Sequence, residues 1–210
     1  MKTTLLFTFF LVLFSLSATA QETELISNTG IRGAYMGSVI YPGFHVGIER
    51  PYKLSLTDTL AAKRSRTVYR QNCLVYSLGM YHHKTFHTNF FLQVEWIRKR
   101  QRSRGFYFEN GFGTGISRTF LDGATFTVSD DGEVSKVSMA GNYYWITSVG
   151  GSIGYNMKMK YNKPVSVYLR ANLIVMVPYN GLIYPRPTIE LGGIYSLQRF
   201  RTSNSKKANR

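Results

Sequence analysis

The stretch FHTNFFLQVEWIRKRQRSR, Phe86 to Arg104, decides how the rest of the chain is read. At a period of two, Phe86, Thr88, Phe90, Leu92, Val94 and Trp96 fall on one face, and His87, Asn89, Phe91, Gln93, Glu95 and Ile97 on the other. The first face is oily and the second mostly polar. About ten residues of such alternation, tipped by aromatics and running into a basic cluster, match a tilted strand crossing a bilayer in a closed barrel.

The N-terminus points to export. Lys2 is followed by an apolar run from Leu5 to about Leu16 and by Ala18-Thr19-Ala20, the layout of a secretory signal cleaved after Ala20. The run is too short to span a bilayer as a helix, and no Cys follows the cleavage site to carry a lipid. Beyond it, Gly, Pro or charge interrupts every apolar run. A membrane protein of this sequence must therefore be a barrel, because only helices and closed barrels satisfy their backbone in lipid. The 15 Tyr, 14 Phe and 19 Gly of the chain favour strands over helices. Cys73 is the only cysteine, so no internal disulfide is expected, and its place in an alternating run makes it a small buried side chain. The net charge of +15 would suggest nucleic acid in a cytosolic protein; the export signal argues against that.

The expected organisation is a signal at 1–20, a polar leader at 21–30, a barrel at 31–200 and a basic tail at 201–210. Ile31 to Tyr41 is Gly-rich and weakly patterned. Phe44 to Glu49 alternates, and Tyr52 to Arg66 reads as a loop. Thr67 to Met80 alternates, with Leu74, Tyr76, Leu78 and Met80 outward. After the RKRQRSR turn come the strands of Phe106 to Phe120, Tyr143 to Asn156 and Val165 to Val177, then a loop from Pro178 to Pro187 and a last strand to Gln198. The inward glycines 111, 113 and 115 leave room for larger side chains from neighbouring strands. Between Leu121 and Gly141, Asp130-Asp131-Gly132 lies between Thr/Val-rich segments, a hairpin signal that predicts two strands projecting beyond the membrane.

Seven strands are clear, and an even count admits Ile31 to Tyr41 as the eighth. The fold class is thus all-β, an antiparallel up-and-down transmembrane barrel of eight strands. Parity then sorts the loops. If the C-terminus is periplasmic, the basic segments Tyr52 to Arg66, Arg98 to Arg104 and Lys158 to Lys163 share its side. His82-His83, Asp130, Asp131 and Glu133, and the Pro-rich Tyr179 to Pro187 segment share the other. Phe86, Phe120, Tyr143 and Trp145 form one aromatic belt, and Trp96, Phe106, Phe108 and Tyr195 the second.

Three constellations could carry function. The inward rows collect Glu49, Glu95, Glu109 and Glu190, with Arg170 as the clearest positive partner, either as a structural polar plug or as a gated solute path. The basic side, with Arg98, Lys99 and Arg100, offers a surface to anionic headgroups or cell-wall polymer, or simply solubilises the protein. His82, His83 and His87 surround one turn, but no Cys or carboxylate nearby in sequence completes a metal site, so no metal and no cofactor is expected.

His87-Thr88-Asn89 weakly resembles the His-x-Ser-Asn stretch of outer-membrane lipid A deacylases. Thr88 stands in the serine's place, and alternation puts His87 on the opposite face, out of reach. The chain as a whole, above all YHHKTFHTNFFLQVEWIRKRQRSRGFYFENGFGTGISRTF, resembles small outer-membrane β-barrel proteins of the sort abundant in Bacteroidota. The resemblance implies fold and location, and no catalytic residue. The expected function is a monomeric, non-enzymatic outer-membrane barrel with a structural or surface-interaction role, Asp130, Asp131 and Gly132 being its contact element and outer-membrane lipids its surroundings. A narrow solute channel is the alternative, and a lipid-modifying enzyme the second alternative.

Overall fold

The computed structural model describes residues 29–37, 42–61, 64–179 and 181–197. The expected signal, all but the end of the leader, and the basic tail lie outside these residues. Eight strands close a ring: β1 (Gly30–Gly37), β2 (Gly43–Ala61), β3 (Arg64–His83), β4 (His87–Arg102), β5 (Phe106–Leu121), β8 (Tyr143–Asn156), β9 (Val165–Tyr179) and β10 (Leu182–Ser196). Each pairs antiparallel with its sequence neighbour in the ring, and β1 closes on β10 from Gly30 opposite Ser196 to Gly37 opposite Ile189. This is an up-and-down barrel. The Gly-rich segment after Gly30 is its eighth wall.

Two strands stand apart from the ring. β6 (Thr125–Val128) and β7 (Val134–Val137) form a separate antiparallel ribbon between β5 and β8. Its turn is held by the Gly132 amide donating to the Ser129 carbonyl at 2.9 Å and the Ser129 amide donating to Glu133 at 3.0 Å. Gly132 has φ +80, where a side chain would be strained, which is why Asp-Gly marks the tip. A single helical turn, α1 (Lys158–Tyr161), joins β8 to β9 and stops at Asn162, whose φ of 54 is left-handed.

Alternation decides which side chains fill the ring. On β4, Asn89, Phe91, Gln93, Glu95, Ile97 and Lys99 are buried inside, while Phe90, Leu92 and Trp96 are exposed outside. The same holds on every wall, so the oily rows face outward and the interior is mixed. Following paired residues once around the ring, from Ile31 through Tyr76, Thr114 and Val175 to Pro185, returns to β1 about ten residues further on. Eight strands with that stagger tilt by about 40–45° and enclose only enough space for their own side chains.

Glycines make that filling possible. A methyl at Gly79 would strike the Phe91 ring and His45, one at Gly192 the Tyr168 ring, and one at Gly113 the side chains of Gln93, Glu95 and Ser148. At the end away from the termini, Met36, Tyr81, Phe91, Tyr144, Ile146, Ile174 and Met176 form an apolar cluster. Smaller clusters, Ala34 with Tyr107, Tyr168 and Ile194, and Cys73 with Val75 and Ile97, flank the charged groups. Cys73 is fully buried, as the alternation predicts.

Three sequence expectations need correction. Tyr52 to Arg66 is not a loop: β2 and β3 continue as a paired hairpin to Ala61 opposite Arg64, well past the last β3–β4 pair at Val68 and Arg102. A period of two persists there, in Tyr52, Leu54, Leu56 and Leu60, but Pro51 at its start and the cluster Lys63, Arg64 and Arg66 at its end read as a loop, and the pairing register shifts between Pro51 and Lys53. Pro178 to Pro187 is likewise mostly strand, with β9 running to Tyr179 and β10 starting at Leu182. Proline discouraged a strand assignment there, yet Pro185 and Pro187 sit on the exposed face of β10. The Arg98 to Arg104 segment is strand as far as Arg102.

Ring closure is directly testable. In a Cys73→Ala background, Tyr35→Cys and Leu191→Cys face each other across the β1–β10 seam and should form an intramolecular disulfide on mild oxidation. A Tyr35→Cys and Phe112→Cys pair, on the opposite walls β1 and β5, should not. Equal yields for both pairs would mean the ring is open.

Candidate functional site

The centre of the barrel is a charge network whose hub is Arg32 of β1. Arg32 is fully buried, and its guanidinium donates to Glu49 of β2 at 2.7 Å and to Glu109 of β5 at 3.1 Å. Lys99 of β4 reaches the same two carboxylates, Glu49 at 2.9 Å and Glu109 at 3.0 Å. Two cations and two anions thus alternate around a square, each touching both opposite charges. Ser152 donates to the second oxygen of Glu109 at 2.9 Å, and the Cys73 thiol approaches Glu49 at 3.5 Å. Beneath the cations lie aromatic faces, Tyr168 at 4.7 Å from the Arg32 guanidinium and Tyr107 at 4.9 Å from the Lys99 ammonium.

Two further pairs extend the network. Arg170 of β9 holds Glu95 of β4 with two parallel bonds of 2.6 and 3.0 Å, a bidentate fork spanning the lumen. His45 meets Glu190 at 3.3 Å, and Asn172 donates to the other Glu190 oxygen at 3.0 Å. Gln93 and Ser148 are hydrogen-bonded beside them. Buried charge is tolerable only when paired and hydrogen-bonded, and here every carboxylate has at least one cationic or polar partner.

All five residues singled out from the sequence, Glu49, Glu95, Glu109, Arg170 and Glu190, line this interior. Arg170 serves Glu95, while Glu49 and Glu109 belong to Arg32 and Lys99. Those two cations escaped the sequence reading for different reasons. Arg32 lies in the Gly-rich segment whose alternation is hidden because Gly33 carries no side chain. Lys99 was grouped with Arg98 and Arg100 as part of a basic turn, yet it points inward and is 8% exposed. Strict parity from Glu95 and Ile97 was the signal that could have found it. His45 and Arg186, the latter packed 3.5 Å over the Tyr81 ring, are also inside.

The network fills the lumen. A cavity lined by His45, Glu95, Arg170, Asn172 and Glu190, among others, has room for about one water. Beyond it the apolar cluster around Phe91, Ile174 and Met176 closes the far end.

Asp130, Asp131 and Gly132 are exposed at the tip of the β6–β7 ribbon. The histidines divide. His83 stacks on Phe86 and meets the His87 ring edge-on at 5.3 Å, so these two do share a neighbourhood. His82 turns outward, where its Nδ1 lies 3.0 Å from Thr88 Oγ1 and 3.8 Å from Asp122, and Thr88 donates to Asp122 at 3.4 Å. Both partners meet the same imidazole nitrogen, so this trio lacks the two-sided arrangement by which a histidine relays a proton between a hydroxyl and a carboxylate. It clasps the β3–β4 turn to the start of the ribbon, alongside the Asp122 amide bond to the Phe86 carbonyl. Among the described residues no group of three His, Cys, Asp or Glu is placed to hold a metal.

No protein-family model matches this chain, and no curated protein matches it in sequence. Among solved structures, it is similar to the β domain of the Bordetella autotransporter Brka. The identity is 14% and the TM-score 0.37, over 80% of this chain and 69% of that one.

The fork between Arg170 and Glu95 makes a quantitative expectation. Arg170→Met leaves a buried carboxylate without its counter-charge and should lower the unfolding free energy by about 3–5 kcal/mol. Adding Glu95→Met should restore most of the loss, because an apolar pair carries no desolvation cost. Urea unfolding of the folded protein reads both variants, and a single variant as stable as the parent would deny the pair its role.

Proposed function

We propose that this protein is an outer-membrane β-barrel, exported by its N-terminal signal and monomeric, with a structural or surface-interaction role and no enzymatic activity. The observation that carries this is the inside-out distribution of side chains. Ile48, Leu78, Leu92, Ile116, Val149, Leu169 and Leu191 are all 44–64% exposed on the outer wall, while Arg32, Glu109 and Arg170 are buried within it. A water-soluble barrel that binds apolar ligands needs the opposite arrangement. An outer wall of this kind is stable only against hydrocarbon. Supporting it, Trp145 and Tyr143 lie at one rim of the oily band, with Trp96, Phe106, Phe108 and Tyr195 at the other.

The ion-paired plug makes the channel alternative the weaker reading. A solute path through this lumen would have to break pairs such as Arg170 with Glu95. The barrel then serves as a membrane-set frame for what projects from it: the β6–β7 ribbon on one side and the long β2–β3 hairpin on the other. With the termini in the periplasm, the ribbon and its Asp130, Asp131 and Gly132 tip face outward from the cell.

Because Cys73 is buried, single cysteines report this arrangement without background. Ser135→Cys on the ribbon should react with a membrane-impermeant maleimide on intact cells, and Ser103→Cys at the β4–β5 turn only after permeabilisation. The reverse pattern would invert the topology, and labelling of neither or both would contradict a spanning barrel. In planar bilayers the purified protein should show no steady conductance, and deleting 124–139 should leave the inserted barrel intact. A stable open level in the parent, abolished or altered by Arg170→Ala, would instead make the channel reading correct.

A further inference from the structure

Three outward rows at the termini end of the wall formed by β3, β4 and β5 have a composition that the structural role does not require. Leu74, Trp96 and Phe112 lie side by side in the first row, Asn72, Arg98 and Asn110 in the second, and Arg70, Arg100 and Phe108 in the third. Trp96, Arg98, Arg100, Arg70, Phe108 and Asn110 are all exposed. Each outward step along a strand with this tilt moves about 5 Å along the barrel axis. Arg98 and Arg100 therefore sit about 5 and 10 Å beyond Trp96, the depth at which a bilayer's headgroup layer follows its hydrocarbon edge.

Arg70 and Arg100 are direct cross-strand partners on the same face. Like charges placed opposite one another destabilise a sheet unless an anion lies between them. None is supplied by the residues whose side chains the structure describes: Arg70, Arg98 and Arg100 have no ion-pair partner among these, and the carboxylates on these strands, Glu95 and Glu109, face inward and are already paired. The opposite rim shows the contrast. There Arg118 is hydrogen-bonded to the Tyr143 hydroxyl and lies over the Phe120 and Tyr143 rings.

We propose that this patch on β3–β5 is a binding site for the phosphate headgroup of an anionic glycerophospholipid in the periplasmic leaflet. An acyl chain lies along Leu74, Trp96 and Phe112; Asn72, Asn110 and Arg98 donate to the glycerol ester and phosphate oxygens; and Arg70 and Arg100 clamp the phosphate, relieving their mutual repulsion. A lipid, rather than a cell-wall polymer, is the occupant because the cations continue the oily wall without a break. A polymer beyond the membrane would leave the row of Trp96 and Phe112 without a role in its binding. The site rests on the reading of the chain as an outer-membrane barrel.

Native mass spectrometry of the full chain released from mixed vesicles of phosphatidylglycerol and phosphatidylcholine tests it. Protease resistance in the same vesicles reports insertion separately, so a barrel that does not insert refutes the membrane reading and this site with it, whereas an inserted barrel tests the site alone. The parent should retain phosphatidylglycerol in preference to phosphatidylcholine. Arg100→Gln should reduce that retention about fivefold, and Arg70→Gln with Arg100→Gln further. Lys84→Gln at the opposite rim should not. Equal retention of the two lipids, or equal losses in the Arg100→Gln and Lys84→Gln proteins, overturns the site. So does arginine-dependent binding to isolated cell wall without lipid preference. Were the double variant not to insert, Arg100→Gln alone decides.

Discussion

On the outer-membrane reading proposed above, one requirement governs the rest: in hydrocarbon, the peptide groups of a strand have no partner except another strand, so the ring must close. Closure through β1 and β10 is supplied by the least promising segment of the sequence. Gly30, Gly33 and Gly37 give β1 little apolar surface of its own, but the segment brings Arg32 to the centre of the lumen, where it ties Glu49 on the adjacent wall to Glu109 across the barrel. Seam and plug are therefore one device. The strand that completes the hydrogen-bonded ring also delivers the cation on which the interior charges converge.

The stagger of the ring explains why the interior looks as it does. A barrel of eight strands has a lumen about as wide as the side chains that line it. Whatever points inward must interlock, which sets large residues against glycine, as with Phe91 over Gly79 and Tyr168 over Gly192. It also forces charges into contact with one another rather than with water. The alternating square of Arg32, Glu49, Lys99 and Glu109 is locally neutral, and the Arg170 fork repeats the solution at a second level. A buried pair of this kind adds little net stability over apolar packing, but it strongly penalises any arrangement that separates the partners. Its effect is to hold one register.

Much of this was legible from alternation. The outer rows of β4 and β9, the number of walls, the ribbon at Asp-Gly and the inward placement of Glu49, Glu95, Glu109, Arg170 and Glu190 all follow from a period of two read against oily and polar residues. What resisted reading were places where that contrast disappears for a physical reason. Glycine masks the face of Arg32. Beyond Pro51 the alternation of Tyr52, Leu54, Leu56 and Leu60 is obscured by the proline before it and the cations Lys63, Arg64 and Arg66 after it, which together read as a loop. Lys99 falls within a run of cations whose inward and outward members look alike, although parity distinguishes them. Partners across the lumen, such as Arg32 with Glu109, were beyond any one-dimensional reading because ring stagger decides which inward residues meet.

The protein is a closed barrel whose charges face each other and whose oily wall, on the proposed reading, faces lipid. Electrophoretic mobility in SDS of the protein extracted from the outer-membrane fraction, with and without boiling, tests it most directly. A closed ring resists SDS until heated, so the unboiled protein should run as a folded band that boiling converts to a band of different mobility. A single unshifted band, with the protein recovered as a soluble exported species, would contradict it.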